Sequence, residues 1–279
     1  VKAPFAYYGG KSRMAARIVA MMPPHDIYIE PFLGSGAVFF AKPPSRHEII
    51  NDLDDAIVTF LRVLRDRPDE LAEVCRLTPH SRTEWYAADL DEPNMDDIEK
   101  ARRLWVRVNQ SFGKTVAGRS STGWSSTIAR TQAITTTITT RIDRFKAIAE
   151  RLCQASIECR DAVDVIDQYG RRGAVIYADP PYLDTTRSTT NNGYRVESKT
   201  TEHHEQLAAA LHATPATVLL SGYHSPLYDR LYDGWDRVEI PVRCSSSNSV
   251  RGDRGSRIEV IWSNRPLAGA QAFDFGGAS

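Results

Sequence analysis

A chain of 279 residues, 42% hydrophobic and 25% charged, has the length for one large α/β domain with a smaller one attached and the composition of a globular fold. It has no apolar run near the ~18 residues of a membrane span, and Val1-Lys2-Ala3-Pro4-Phe5 lacks the pattern of a signal peptide. The four cysteines, Cys75, Cys153, Cys159 and Cys244, form no CxxC pair, which argues against a metal centre and for reduced thiols in a cytoplasmic protein. Formal net charge is zero, yet residues 61–99 hold 5 Lys/Arg against 11 Asp/Glu, and residues 100–151 hold 11 against 2. A net of +9 in the second stretch is what a footprint for a polyanion looks like; a solvated basic helix face would look the same.

Seven segments read as strands in chain order: residues 27–30, 47–51, 156–159, 174–179, 216–222, 236–242 and 257–262. Helical pattern follows the second (54–67), the third (161–169) and precedes the fifth (201–213). Ala174–Asp179 is apolar up to its last residue, as a parallel strand covered on both faces should be. The last two segments are separated only by a Ser/Arg/Gly-rich loop, which predicts an antiparallel pair at one edge. Alternation of strand and helix predicts a doubly wound sheet with right-handed crossovers. It is interrupted between residues 61 and 150, where helices are expected at 69–77, 82–90, 96–110 and 138–152 around a Gly/Ser/Thr/Arg-rich middle at 111–137. That stretch reads as an inserted, mainly helical lobe. This divides the chain into a first catalytic part (1–60), the lobe (61–150), a second catalytic part (151–266) and a poorly ordered tail (267–279).

Three constellations carry chemistry. Glu30-Pro31-Phe32-Leu33-Gly34-Ser35-Gly36 follows the first strand, where glycines let the backbone turn tightly against a ligand at a helix N-terminus. A plain tight turn has the same sequence, but ligands of open α/β sheets bind at that edge. Asn51-Asp52 ends the second strand. A carboxylate there accepts from both ribose hydroxyls of an adenosine moiety, whereas the structural alternative is a helix N-cap, a role Asp54 fills equally well. Asp179-Pro180-Pro181-Tyr182 ends the apolar strand. Two prolines remove backbone donors and leave carbonyls projecting from a rigid turn. An acidic group and an aromatic ring beside them suit a flat ring bearing an amino group.

With these motifs in place, the chain resembles the Dam-type DNA adenine methyltransferases, the D12 class of N6-adenine enzymes. Four blocks carry the likeness: Tyr7-Tyr8-Gly9-Gly10-Lys11, the Glu30–Gly36 block, Asn51-Asp52-Leu53, and Asp179–Tyr182. Glu259–Asn264 also resembles the family's closing strand. The resemblance implies a Rossmann-like S-adenosylmethionine-dependent methyltransferase fold, a seven-stranded doubly wound sheet with an antiparallel edge, plus the lobe as target-recognition domain. It implies that S-adenosyl-L-methionine is contacted by Tyr7 and Lys11, by Glu30, Pro31, Phe32, Gly34 and Gly36 of the turn, by Asp52, by Asp161 after the third strand, and by Asp179. Tyr7 stands where the family usually has Trp and keeps an aromatic ring there. Asp179, the Pro180 carbonyl and Tyr182 would hold a flipped-out adenine for in-line methyl transfer, with no metal required.

The partner implied is double-stranded DNA, met by a monomer or weak dimer in the cytoplasm. Arg107, Lys114, Arg119, Arg130, Arg141 and Arg144 of the lobe, with Arg187 and Arg195 after the Asp179 motif, are candidates for phosphate or guanine contacts. Trp105, at helical spacing, reads as core. Three alternatives remain at this level: N6-adenine methylation of RNA, methylation of cytosine N4, and a silent DNA-binding module of the same fold. The recognition sequence and any companion restriction endonuclease are not specified by these residues.

Overall fold

The computed structural model describes residues 1–7, 9–111, 123–125, 136–182, 200–243 and 256–267. In chain order its elements are α1 (Ala15–Met21), β1 (Ile27–Glu30), α2 (Ala37–Ala41), β2 (His47–Asn51), α3 (Asp55–Asp66), α4 (Pro68–Leu77), α5 (Arg82–Ala87), α6 (Asp97–Gln110) and α7 (Phe145–Leu152). They continue with β3 (Ser156–Glu158), α8 (Ala162–Tyr169), β4 (Ala174–Ala178), α9 (Thr201–Ala213), β5 (Thr217–Gly222), α10 (Pro226–Leu231), β6 (Asp236–Arg243) and β7 (Ser256–Ser263).

The seven strands form one sheet in the order β3-β2-β1-β4-β5-β7-β6. The first five in that order run parallel, and β7 pairs antiparallel with both β5 and β6. This is the doubly wound sheet with an antiparallel edge expected above. Every residue of β4 is buried, because both faces are covered. Val175 and Tyr177 join Tyr28 of β1 in one core with α1, α2, α3, α6 and α7. Ala174, Ile176 and Ala178 join Ile29 in a second core with α8, α9 and α10. Side chains alternate between the two cores with the strand period of two.

Local caps set where the helices begin. Asp54, rather than Asp52, caps α3 by accepting from the Ala56 amide at 3.0 Å. Asp96 caps α6 through the Glu99 amide at 3.0 Å. The predicted helix at 138–152 is broken: residues 136–142 are helical, a turn follows, and α7 starts at Phe145. The helix expected over 82–90 ends at Ala87. Two short helices, α1 and α10, were not expected. Asn264 closes the start of β5, accepting from the Val218 amide at 2.9 Å and donating to the Ala216 carbonyl at 3.0 Å.

The helical insert shares its core with the sheet domain. Trp105 of α6 lies parallel to Phe60 of α3, ring centroids 6.2 Å apart, and meets Phe145 of α7 edge-on at 5.1 Å. All three are buried. Trp85, Ala88 and Val106 make a small satellite cluster further out. Among the described residues no helix is long and apolar enough to cross a membrane.

Candidate active site

The carboxyl edge of the central strands opens into a cleft holding about 750 Å³ of empty space, part of it open to solvent. Three strand ends build its wall: Glu30 from β1, Asp52 just past β2, and Asp179 just past β4. The turn after β1 is shaped by Gly34, at φ +53°, where an added Cβ would stand 3.2 Å from the Tyr7 ring. Only glycine combines that backbone with that approach. The Gly34 amide donates to Asp52 Oδ2 at 2.7 Å, and the Asp54 amide donates to Oδ1 at 2.9 Å. Asp52 is therefore fixed in orientation by two backbone donors while remaining half-buried on the cavity wall. Its neighbour Asn51 ties the crevice together. The amide side chain donates to the Pro31 carbonyl at 2.9 Å and the Arg160 carbonyl at 3.0 Å, and accepts from the Arg160 amide.

Tyr7, Lys11, Glu30, Phe32, Gly34, Asp52 and Asp179 of the expected set all line this cavity. Pro31 and Gly36 do not. Pro31 contributes its carbonyl to Asn51, and Gly36 turns the chain at φ +68° tightly against the Phe40 ring. Asp161 also lies apart from the cavity lining. Its carboxylate caps α8 through the Val163 amide at 2.8 Å, an ordinary N-cap role.

Behind Asp179 is a tight charged cluster. Lys11 Nζ lies 2.7 Å from Asp179 Oδ1 and 2.8 Å from Glu259 Oε1. It donates to the Tyr182 hydroxyl at 2.5 Å and to the Gly9 carbonyl at 3.2 Å. The Tyr182 hydroxyl stands 2.8 Å from Glu259 Oε1 and 3.3 Å from Asp179 Oδ1, and donates toward them. Its ring, buried, approaches Tyr223 at 4.5 Å between centroids, tilted by 48°. Burial pushes the Asp179 carboxyl up to about 6, against the pull of Lys11, while the like charge of Glu259 adds to the rise. Burial alone would lower the Lys11 ammonium, but Asp179 and Glu259 outweigh it and hold it well above its ordinary value. Burial raises Glu30 to about 8, despite the Tyr28 hydroxyl that donates to it at 2.7 Å. At neutral pH Glu30 is accordingly protonated, and it adds no charge to the wall.

Glu259 and Tyr223 were not among the expected site residues. Tyr223 follows the end of β5, level with the Asp179 turn. Glu259 had a legible signal: on β7 it shares a face with Ile261, which is buried in the core, whereas Ile258 beside it is 46% exposed. An acid in phase with the buried face of a strand is a site candidate by that fact.

The basic candidates separate. Arg107 is 2% exposed and its guanidinium sits 4.5 Å over the Trp85 ring, a packed position on α6. Arg141 donates to Asn109 Oδ1, and Arg144 donates to the Thr140 carbonyl at 3.2 Å; both are half-buried. Lys114, Arg119, Arg130, Arg187 and Arg195 lie outside the described residues. Part of the +9 surplus is answered among the described residues. Arg102 bridges Glu84 and Glu99, Arg103 bridges Glu92 and Glu99, Lys100 pairs with Asp55, and Arg151 is buried against Glu48. Four of the eleven basic side chains are thus paired, two of them with acids of the 61–99 stretch, so the asymmetry along the chain overstates the charge available to a polyanion.

Sheet order and a cavity carrying Glu30, Asp52 and Asp179 at the carboxyl edge of the central strands define a doubly wound α/β fold with its candidate ligand site at the topological switch point. The chain belongs to the family of D12 class N6 adenine-specific DNA methyltransferases, whose model matches residues 7–244. It is similar to the type II methyltransferase M1.LlaDCHI of Lactococcus lactis subsp. cremoris, 25% identical over 92% of this chain and 93% of that protein. It is also similar to the DNA N-6-adenine-methyltransferase of Escherichia phage P1, 26% identical over 92% of this chain but only 34% of that longer protein. The DNA adenine methylase of Escherichia coli K12 is 22% identical over 90% of both chains. Family membership selects adenine N6 and DNA from the alternatives that the residues alone left open.

Proposed function

We propose that the cavity binds S-adenosyl-L-methionine and that Asp179, at its inner end, receives the amino group of an adenine flipped out of duplex DNA. The carrying observation is that Asp179 and Asp52 share one cavity wall with the Gly34 turn, in a chain of this family. The residues suit that cofactor. Asp52, oriented by two amides, keeps lone pairs for the ribose hydroxyls; Phe32 offers an apolar wall; and the turn at Gly34 admits close backbone approach. When bound, S-adenosylmethionine supplies an activated methyl group on a sulfonium.

The chain's own residues do the rest. A base inside a duplex cannot reach this cavity, so it must leave the stack at a cost of a few kcal/mol. Asp179 and the Pro180 carbonyl accept its two amino hydrogens, which favours a more tetrahedral nitrogen and stabilises the positive charge that develops there. An acceptor whose basicity is raised by burial does this better than a solvated carboxylate. The Tyr182 ring stacks against the base, and the rigid proline turn holds the nitrogen in line. The insert carries the remaining DNA contacts, with Arg141 and Arg144 the candidates among the described residues.

The test is Asp179→Ala. Transfer of labelled methyl to duplex DNA falls below detection, while S-adenosylmethionine affinity by calorimetry stays within about threefold, since a change below 1 kcal/mol is expected where the main ribose contact is intact. Wild-type transfer in that variant would refute the assignment.

A further inference from the structure

β7 delivers a carboxylate for which the mechanism above has no use. Glu259 is 4% exposed and is the fourth residue of β7. That strand runs antiparallel to β5, so its beginning lies beside the carboxyl edge of the parallel strands, where Val260 pairs with Gly222. From there Glu259 Oε1 reaches both Lys11 Nζ and the Tyr182 hydroxyl at 2.8 Å. One ammonium is thus shared by two buried carboxylates. Lys11 alone would neutralise Asp179; the second carboxylate leaves the trio with a formal surplus of one negative charge.

Resting on the adenine-N6 reading, we propose that Glu259 is a positioning residue that holds the Lys11 ammonium and the Tyr182 hydroxyl, so that Asp179 is released to accept the amino hydrogens of the target base. With Asp179 as its sole counter-ion, Lys11 would compete with the incoming amino group for one carboxylate. A charge-assisted bond is roughly twice as strong as a neutral one, so the neutral amine would lose. Glu259 changes that balance, because Lys11 keeps an ionic partner when it leaves Asp179, and no buried cation is stranded. Tyr182 is fixed by the same contact, which sets the plane of the ring beside the base. The surplus negative charge also faces a reaction in which positive charge arrives at N6.

The groups that face Asp179 are Lys11 from the segment before α1, Glu259 from β7, and Tyr182 from its own turn. The Asp179 charge in turn raises Glu30 of β1, Tyr177 of β4 and Tyr228 of α10. Of the groups facing Asp179, Glu259 is the nearest like charge, and removing that charge lets Lys11 pull the Asp179 carboxyl down from about 6.

Glu259→Gln tests this, with Asp179 followed by carbon-13 NMR titration in the cofactor-free protein and steady-state methylation of duplex DNA measured alongside. We expect kcat to fall about tenfold or more with KM for DNA and cofactor within about threefold, the signature of an interaction made in the transition state. The Asp179 midpoint should fall by about one pH unit as its like-charge neighbour disappears. A normal kcat, or a lowered kcat with an unmoved Asp179 titration, would overturn the proposal. Should Glu259→Gln fail to fold, Tyr182→Phe keeps the ring and removes only the hydroxyl that Glu259 holds. Its kcat should fall several-fold at unchanged KM, and a wild-type kcat would count against the proposal. If the wild-type protein methylates no adenine, the parent reading fails, and the NMR titration still judges Glu259 separately.

Discussion

Glu30 offers a test of the cavity's electrostatics that needs no catalysis. It is 2% exposed, hydrogen-bonded to Tyr28, and raised by burial from an ordinary 4.5 to about 8. The unfolded chain releases this proton near 4.5 and the folded chain near 8. Between those values the folded state binds one proton more, so stability falls as pH rises through the window and levels off above it. The size follows from 1.36 kcal/mol per pH unit: roughly 3 kcal/mol lost by pH 7 and roughly 5 above pH 8, as an upper bound because water entering the cavity screens the charge. Glu30→Gln preserves the shape and the bond to Tyr28 but cannot ionise. Urea denaturation of both proteins at pH 5, 7 and 9 isolates the effect, since every other titrating group is common to them. We expect the variant to gain on the wild type from pH 5 to about 8 and to hold that gain at pH 9, with the wild type no less stable at pH 5. Parallel stability curves would refute the claim that Glu30 is held protonated.

Two further substitutions separate binding from packing. Asp52→Ala removes the carboxylate that the Gly34 and Asp54 amides orient; S-adenosylmethionine affinity should drop about tenfold or more by calorimetry, and an unchanged affinity would contradict the ribose assignment. Arg107→Ala should lower stability by about 2 kcal/mol through lost packing on Trp85, with the salt dependence of DNA binding unaltered; a slope reduced by about one would restore it as a phosphate contact.

The sheet was legible because its signals are local. A continuous apolar run ending in Asp179 has few structural solutions, and the alternation of strand and helix around it pointed to a doubly wound sheet. The cavity wall was legible for a related reason, since Gly34, Asp52 and Asp179 follow strands whose ends converge in this topology. What the chain does not write locally was harder to read. The basic surplus of residues 100–151 depends on which acids face Arg102 and Arg103: Glu99 is one turn away on α6, but Glu84 and Glu92 reach them only through the packing of the insert. Arg107 looks like any surface arginine until the helix phase places it over Trp85. Asp161 caps α8 through one carboxylate oxygen, a local contact that the family resemblance did not imply. Glu259 showed its burial by strand phase but not its partner, because a strand at the far end of the chain delivers it to Lys11 across 248 positions. α10 did carry a start signal, Ser225 before Pro226, but its six residues are too few for helical periodicity to register.

The central claim is that this cavity presents an adenine amino group for methylation. Its most direct test is mass spectrometry of nucleosides from duplex DNA incubated with the purified protein and isotopically labelled S-adenosylmethionine. The account predicts label in N6-methyladenine alone; label in 4-methylcytosine, or none in DNA from a protein shown by calorimetry to bind the cofactor, would contradict it.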